Sequence, residues 1–532
     1  MSASVTKLDY SATGYFTPLV LDYLRGAEEL KEFYALAPEL NSFPAAILEK
    51  QKQNVERGIL VEALKNQYGD SLIADSPTHK NISALLNENT FTVTTAHQPN
   101  LFLGPLYLIY KIISAIKLSE VLNEKFPLQK FVPVYWLGSE DHDFDELNHI
   151  QLFGKKIVWD TNQKGSFGKY VPENLEPLIE ELKNISGSAP HAEELIELLR
   201  SCYLQSKNIT EATRKILHHF FGEHGLVIVD GDDASLKKLF SQVMKDELLN
   251  GNSEKIVSAT ISKLEAKHKV QVQPRPINLF YNIENLRERI TREGAEWKVL
   301  NSDISFSKAE LETELQNHPE HFSPNVVLRP LYQEMILPNV AFIGGGAEVS
   351  YFLELKKLFA NYQIAFPIVL LRDSALLIDK TSAQRLNKLG INAEALFQDE
   401  EEIIKSFTKE KSGDAIQLNA EQKLLDEFFQ ALKSRTDIQS NIPGAQLEAE
   451  QVRMKKFIQS LEERLLKAEK KKHEDSINQI RTLKAKLFPS DSLQERNESF
   501  IGFYLTYGKE FFNVLHDAFN PLEKKFSVIE LK

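Results

Sequence analysis

Apolar residues recur at helical spacing between residues 15 and 68, first as Leu19, Tyr23 and Leu24 and then as Leu30, Phe33 and Tyr34. This predicts an N-terminal helical segment, residues 1–90, that packs on the core. From residue 91 the period shortens. FTVTTAH (91–97) is short and β-branched, PLYLIYKIISAIKLSEVL (105–122) is helical, and FVPVYWLG (131–138) reads as a buried strand. GLVIVDG (225–231), INLFYNI (277–283), NVAFIGG (339–345) and AFPIVLL (365–371) are further strand candidates, with helical patterns between several of them. Such alternation predicts an α/β core over 91–414, a Rossmann-like, doubly wound and mostly parallel sheet with helical insertions.

The tail has a different pattern. Between about 415 and 490 glycine almost disappears, and Met454, Ile458, Leu461, Leu465 and Ala468 recur at alternating steps of four and three, the seam of an α-helical coiled coil. Two helices paired as an antiparallel hairpin over 415–490 fit this, with NIPGA (441–445) as the turn before the long helix. The apolar phase shifts to Ile477, Ile480, Leu483 and Leu487 across KAEKKKHEDS (467–476), a register break, and the basic residues of 467–472 form a solvated helix face. Residues 491–532 are expected to return to the core as helix.

Composition narrows the functional classes. A chain of 532 residues with 42% hydrophobic content can bury several cores, and a formal charge of -12 argues against a general binder of phosphate backbones, so no nucleic-acid partner is expected. No leader pattern and no membrane-spanning run are visible, which predicts a cytoplasmic protein without a membrane partner. Cys202 is the single cysteine, which excludes a disulfide framework and any multi-thiolate metal site, and it reads as a small buried hydrophobe. No metal-ligating set is assigned.

In an open α/β sheet ligands bind beyond the carboxyl ends of the strands. Four loops qualify. HQPNLFLGP (97–105) leaves a strand and enters a helix, so its N–H groups and the helix N-terminus can face a phosphate; His97, Gln98, Asn100 and Gly104 lie in it, and Lys111 lies about two turns beyond its start. A plain strand-to-helix turn would look similar. GSEDHDFDE (138–146) is acidic or histidine at six of nine positions. Glu140, Asp141, Asp143 and Asp145 offer oxygen ligands for Mg²⁺ or a clamp for an amine, and His142 a base that titrates near neutrality. VDGDD (229–233) reads mainly as a helix cap. SPNVVLRPL (323–331) and IGGGAEVSYF (343–352) form the fourth, where Gly344, Gly345 and Gly346 permit close backbone approach and Arg329 offers a fixed cationic fork. Neither a GxxxxGK[ST] loop nor a GxGxxG fingerprint occurs. KTSAQ (380–384) is at most faintly similar to the lysine loop of class I aminoacyl-tRNA synthetases.

Taken together, GPLYLIYKIISAI (104–116), PVYWLGSEDHDFDELNH (133–149), SPNVVLRPLYQEMILPN (323–339) and GGGAEVSYF (344–352), followed by the coiled-coil tail, resemble the BshC family of cysteine-adding enzymes in bacillithiol formation. The resemblance runs nearly end to end. It implies a class I synthetase-like Rossmann core, a coiled coil that supports a homodimer, and amide formation between cysteine and the amino group of glucosaminyl malate. This chain departs from the family's pattern at Ala96-His97-Gln98, where Gly-Gln-Gln is common, and at GGGAE, where Gly-Gly-Pro-Gly-Glu is common; Ala347 makes a positive φ less expected there.

On this reading ATP, with Mg²⁺ as an optional companion, is held by His97, Gln98, Asn100, Gly104, Lys111, Gly344, Gly345, Gly346 and Glu348. Glu140, Asp141 and Asp143 position Mg²⁺ or the amine, with His142 as general base, and Tyr107, Asn325, Arg329 and Tyr351 contact substrate. The alternative is a nucleotide-binding coiled-coil scaffold without ligase activity, which would not need so many ionisable groups at strand ends. A tRNA-directed synthetase would need a basic anticodon-binding module, and none is visible.

Overall fold

Strands buried on both faces need nearly continuous apolar sequence, and five runs of this kind build the central sheet: β1 (Thr90–His97), β2 (Lys130–Leu137), β3 (Val227–Asp230), β4 (Asn339–Gly344) and β5 (Ile368–Leu371). Their order is β5-β4-β1-β2-β3, and every neighbouring pair is parallel. The chain therefore moves outward from β1 through β2 to β3, then returns to the other side of β1. This is the strand order of a Rossmann half, with its topological switch point between β1 and β4. The registers His97↔Leu137 and Leu137↔Asp230 end three strands in one row, so the loops beyond them open on the same edge. The computed structural model describes residues 2–412 and 417–532; the boundary at 414/415 expected from sequence lies outside the described residues.

Polar side chains inside the sheet are satisfied by one another. Thr92 and Thr94 donate to Asn339 Oδ1 at 3.1 and 2.8 Å, Asn339 Nδ2 donates to Glu334 Oε1 at 2.7 Å, and the Lys50 ammonium lies 3.3 Å from Glu334 Oε2. Lys50 also donates to the carbonyls of Glu334 and Leu337. This network ties β1 and β4 to the helices Phe43–Gln51 and Arg329–Ile336, and Phe43, Phe91, Val93, Phe131, Ile343 and Leu370 pack around it as core.

The segment 277–283 does not join the parallel sheet. Its strand Leu279–Ile283 pairs antiparallel with Leu286–Glu293 and with Phe322–Pro324, within a second five-stranded sheet that also contains Glu296–Val299 and Ser305–Phe306. Only Glu284 and Asn285 separate the first two strands, with Asn285 at φ 61°. A two-residue link closes a hairpin, whereas a parallel neighbour needs a crossover of about a dozen residues. The N-terminal segment is not wholly helical either: Ala3–Asp9 is a strand that neighbours Lys525–Leu531.

The chain divides into two compact units, Met1–Leu376 with Ser492–Ile529, and Leu377–Asp491 with Glu530–Lys532. In the second, Asp379 caps the helix Lys380–Leu389, accepting from the N–H groups of Thr381 and Ser382, so KTSAQ is an ordinary helix start. Helices Asn419–Lys433 and Gly444–Lys472 run antiparallel: Leu418 N–H meets Glu462, Lys455 pairs with Asp426 at 2.6 Å, and Lys433 reaches Gln451. The long helix stops at His473, and the next, Glu474–Leu487, buries Ile477, Ile480, Leu483 and Leu487, which places the phase shift at a true helix break.

The Lys50–Glu334 pair is almost completely buried, so removing one partner strands a charge. Glu334→Ala should lower stability by about 3–5 kcal/mol in chemical denaturation; a loss below about 1 kcal/mol would show that the network is dispensable.

Candidate active site at the carboxyl edge of the parallel sheet

The first loop is held in an unusual conformation. Phe102, Leu103 and Gly104 have φ of 48°, 67° and 57°, three residues of positive φ in a row. Two of them carry side chains, and this costs backbone energy. Burial of Phe102 and Leu103 and the bond from Phe102 N–H to the Tyr203 hydroxyl at 2.8 Å hold the turn. A Cβ on Gly104 would sit 2.7 Å from Asn100 Cβ, so only glycine fits there. Asn100 is itself buried, and its Oδ1 has no partner in the structure. The turn then delivers the chain into α1 (Leu106–Lys125).

At the switch point, Lys111 from α1 donates to the Ala96 carbonyl at 2.8 Å and pairs with Glu348 Oε2 at 2.5 Å. Glu348 belongs to α2 (Gly346–Asn361) and also accepts the Gly345 N–H at 2.8 Å, so one carboxylate satisfies a helix N-terminus and a buried ammonium together. Burial pushes the Lys111 ammonium below its ordinary range, against the pull of Glu348. Gly344, Gly345 and Gly346 keep negative φ here; what they supply is space, since a Cβ on Gly344 would meet Glu348 Cβ at 2.9 Å.

Arg372, immediately beyond β5, faces the same crevice. It pairs with Glu495 at 2.6 Å, lies over the Tyr107 ring at 5.7 Å, and leaves its buried Nε without a partner, close to where a Gly345 side chain would begin. His97 Nε2 and the Tyr107 hydroxyl are 3.0 Å apart. Burial, then Lys111 and Arg372, drive the His97 imidazole well below its ordinary value, so it is neutral, while burial pushes the Tyr107 phenol up to about 12. Arg329 donates to Gln333 at 3.0 Å and to the Tyr351 hydroxyl at 3.3 Å. Asn325 is consumed by its own turn: its Oδ1 accepts from Val327 N–H and its Nδ2 donates to Asn278.

The acidic loop is largely neutralised from within. Glu140 pairs with Lys237 Nζ at 2.6 Å, and Lys237 also holds Asp232 at 2.6 Å, with Lys169 on the other side of Asp232 at 2.8 Å. Burial pushes the Lys237 ammonium down, but Asp232 and Glu140 outweigh it and hold it above its usual range. Asp141 accepts from the N–H groups of His142 and Asp143 through Oδ1 and from Gln98 Nε2 through Oδ2 at 3.0 Å, a bond that, with the one from Asn100 Nδ2 to the Glu146 carbonyl at 3.5 Å, joins the first loop to the second. Asp143 caps the short helix Phe144–Leu147. Glu140, Asp141 and Asp143 thus turn toward three different partners and do not converge on one point.

His142 is set by a residue from the inserted sheet. Arg287 Nη1 lies 2.7 Å from His142 Nδ1, and because a guanidinium can only donate, Nδ1 accepts and the proton sits on Nε2. For His142 to act as a base, Arg287 must release Nδ1; as built, it offers a donor. Arg287 is anchored by Ser323 Oγ at 3.1 Å and by the Phe280 ring at 4.0 Å. Arg287, Lys237 and Arg372 escaped sequence reading. Arg372 had a signal, as the residue after the last strand. Lys237 lies one turn into the helix after VDGDD, while Arg287 lies 145 residues away with no local cue.

Burial, then the Arg287 charge, depress the His142 pKa. The neutral form is therefore favoured in the folded chain, and this contribution to stability is present above the ordinary histidine value of about 6.5 and lost as pH falls through the depressed value. Arg287→Leu should raise the His142 midpoint toward about 6.5 in an NMR titration of the imidazole; an unchanged midpoint would remove Arg287 as a cause.

Residues 3–373 match the family model described as bacillithiol biosynthesis BshC, N-terminal Rossmann-like domain, and residues 375–531 match the BshC C-terminal coiled-coil domain. Proteins named "Putative cysteine ligase BshC" are similar over almost the whole length. That of Flavobacterium psychrophilum is 44% identical over 98% of this chain and 99% of its own, and that of Flavobacterium johnsoniae 42% over the same shares. That of Bacillus anthracis is 28% identical over 96% of each. With both domains matched in order, the chain belongs to the BshC family of bacillithiol biosynthesis.

Proposed function

We propose that the chain is an ATP-dependent ligase that activates the carboxylate of cysteine and transfers the cysteinyl group to the amino group of glucosaminyl malate, giving bacillithiol. The observation that supports this most is the division of the sheet edge. Lys111, Arg372 with its free Nε, and the N-terminus of α2 gather donors at the switch point, where Glu348 and Glu495 hold them in the free chain, and the acidic loop with His142 lies beside them, joined through Gln98 and Asp141. An anionic nucleotide suits the first half and an amine the second. In the reaction the cysteine carboxylate oxygen attacks the α-phosphorus and pyrophosphate leaves. The amine then attacks the acyl carbon, AMP leaves with the acyl C–O bond pair, and the amine gives up its proton. On this reading donation from His142 Nε2 orients the acyl oxygen, Asp141 receives the proton once an N–H donor releases it, and Arg329 with Tyr351 orients the malate carboxylates.

Incubation of the purified chain with ATP, cysteine and glucosaminyl malate should yield the amide thiol by mass. Failure to form it with an intact fold would overturn the reading. His142→Ala should fold and bind nucleotide but form product about 10²-fold more slowly; a stable and fully active variant would take His142 out of the mechanism.

Gly345 gives a graded test of nucleotide placement. A Cβ there meets Glu348 Oε2 at 3.5 Å and Arg372 Nε at 3.8 Å, ordinary contacts, and φ is −74°. Gly345→Ala should therefore bind ATP almost normally, whereas Gly345→Leu fills the crevice and should weaken calorimetric affinity by at least about tenfold, or about 1.4 kcal/mol. Equal affinities would place the nucleotide elsewhere.

The helical hairpin supports a homodimer. Leu424, Phe428, Val452, Met454, Phe457 and Leu465 are exposed on it, an apolar surface that water disfavours. Phe457→Glu with Leu465→Glu should convert dimers to monomers in light scattering; a wild type already monomeric at micromolar concentration would refute the pairing.

A further inference from the structure

The helix Lys308–Asn317 runs into a 3₁₀ turn, Pro319–His321, with His318 at its N-cap. Residues three apart eclipse in a 3₁₀ turn, and the His318 and His321 rings accordingly stack, 4.8 Å between centroids and 14° from parallel. Each presents Nδ1 to a carboxylate. His318 Nδ1 is 3.2 Å from Glu320 Oε1, and His321 Nδ1 is 2.6 Å from Glu314 Oε1. One ligand atom from each of His318, Glu320 and His321 falls within 4.8 Å of the others, the one such group of three among the described residues. A tetrahedral ion with bonds of about 2.1 Å needs ligand atoms about 3.4 Å apart, so small side-chain rotations close the set. The Tyr281 hydroxyl donates to Glu314 Oε1 at 2.7 Å, outer support for the carboxylate that orients His321.

We propose that His318, Glu320 and His321, with Glu314 orienting His321 from outside, bind one divalent first-row transition ion such as zinc, whose fourth position is open to water. Two imidazoles and one carboxylate favour such ions over Mg²⁺ or Ca²⁺, which prefer all-oxygen sets. The role is structural. The Glu320 carbonyl accepts from Lys237 Nζ at 3.0 Å, the same ammonium that holds Glu140 and Asp232. An ion on this turn fixes the carbonyl and so steadies the acidic loop from behind, without touching the reacting groups.

The test uses the full chain after chelator treatment and desalting. Zinc calorimetry should give one ion per chain with a Kd in the micromolar range or tighter, Co²⁺ should show the visible bands of a tetrahedral site, and zinc should raise the melting temperature. His318→Ala with His321→Ala should melt as the metal-free wild type does, bind zinc at least about 100-fold more weakly and lose the Co²⁺ bands, and Glu314→Gln should weaken zinc about tenfold. If the double variant misfolds, Glu314→Gln and His321→Gln take its place. The absence of stoichiometric zinc binding, retention of the Co²⁺ bands by the variants, or displacement of zinc by millimolar Mg²⁺ would each overturn the assignment.

Discussion

A single buried ammonium holds the switch point together. Lys111 reaches from α1 to the Ala96 carbonyl near the end of β1 and to the carboxylate that caps α2, so the two halves of the sheet are joined at the switch point. A buried cation costs solvation unless paired, and its two partners come from opposite sides of the crevice. The turn of 102–104 arises from the same requirement. α1 must start where Lys111 can reach both partners, and three residues of positive φ are what the chain accepts to place it there.

Glu348 plays a double part. Its Oε2 occupies the position an anion would take at the N-terminus of α2, while the same atom holds Lys111. The crevice therefore already contains a carboxylate in the place of the proposed phosphate. An incoming phosphate would meet donors that are aligned but engaged, and must compete for them.

Much of this was legible in the chain. The short β-branched and apolar runs at 91–97, 131–138, 225–231, 339–345 and 365–371 are the five parallel strands, because a strand buried on both faces leaves a run that solvent-facing segments rarely imitate. The run at 277–283 looks the same yet belongs elsewhere, since periodicity reports burial and not partner; only the two-residue link after Ile283 separates hairpin from crossover. Reading the loops at strand ends singled out His97, Lys111, His142 and Glu348, all of which lie at the carboxyl edge of the parallel sheet. The same loops could not reveal what neutralises them. Nor could they show that Asp143 caps a helix and Asn325 braces a turn, or that the cations of the acidic loop arrive from other parts of the chain.

That distance matters before the protein is finished. Glu140 waits 97 residues for Lys237, and His142 waits 145 for Arg287. At typical synthesis rates of about 5–20 residues per second, the acidic loop stands exposed at the end of β2 for roughly 5–30 s with its charges unmatched. During that interval β1 and β2 can pair, since their register needs nothing downstream, but the loop cannot take its final form. The inserted sheet thus completes the acidic part of the edge, and on the growing chain that part is assembled after β1 and β2, which lead into it.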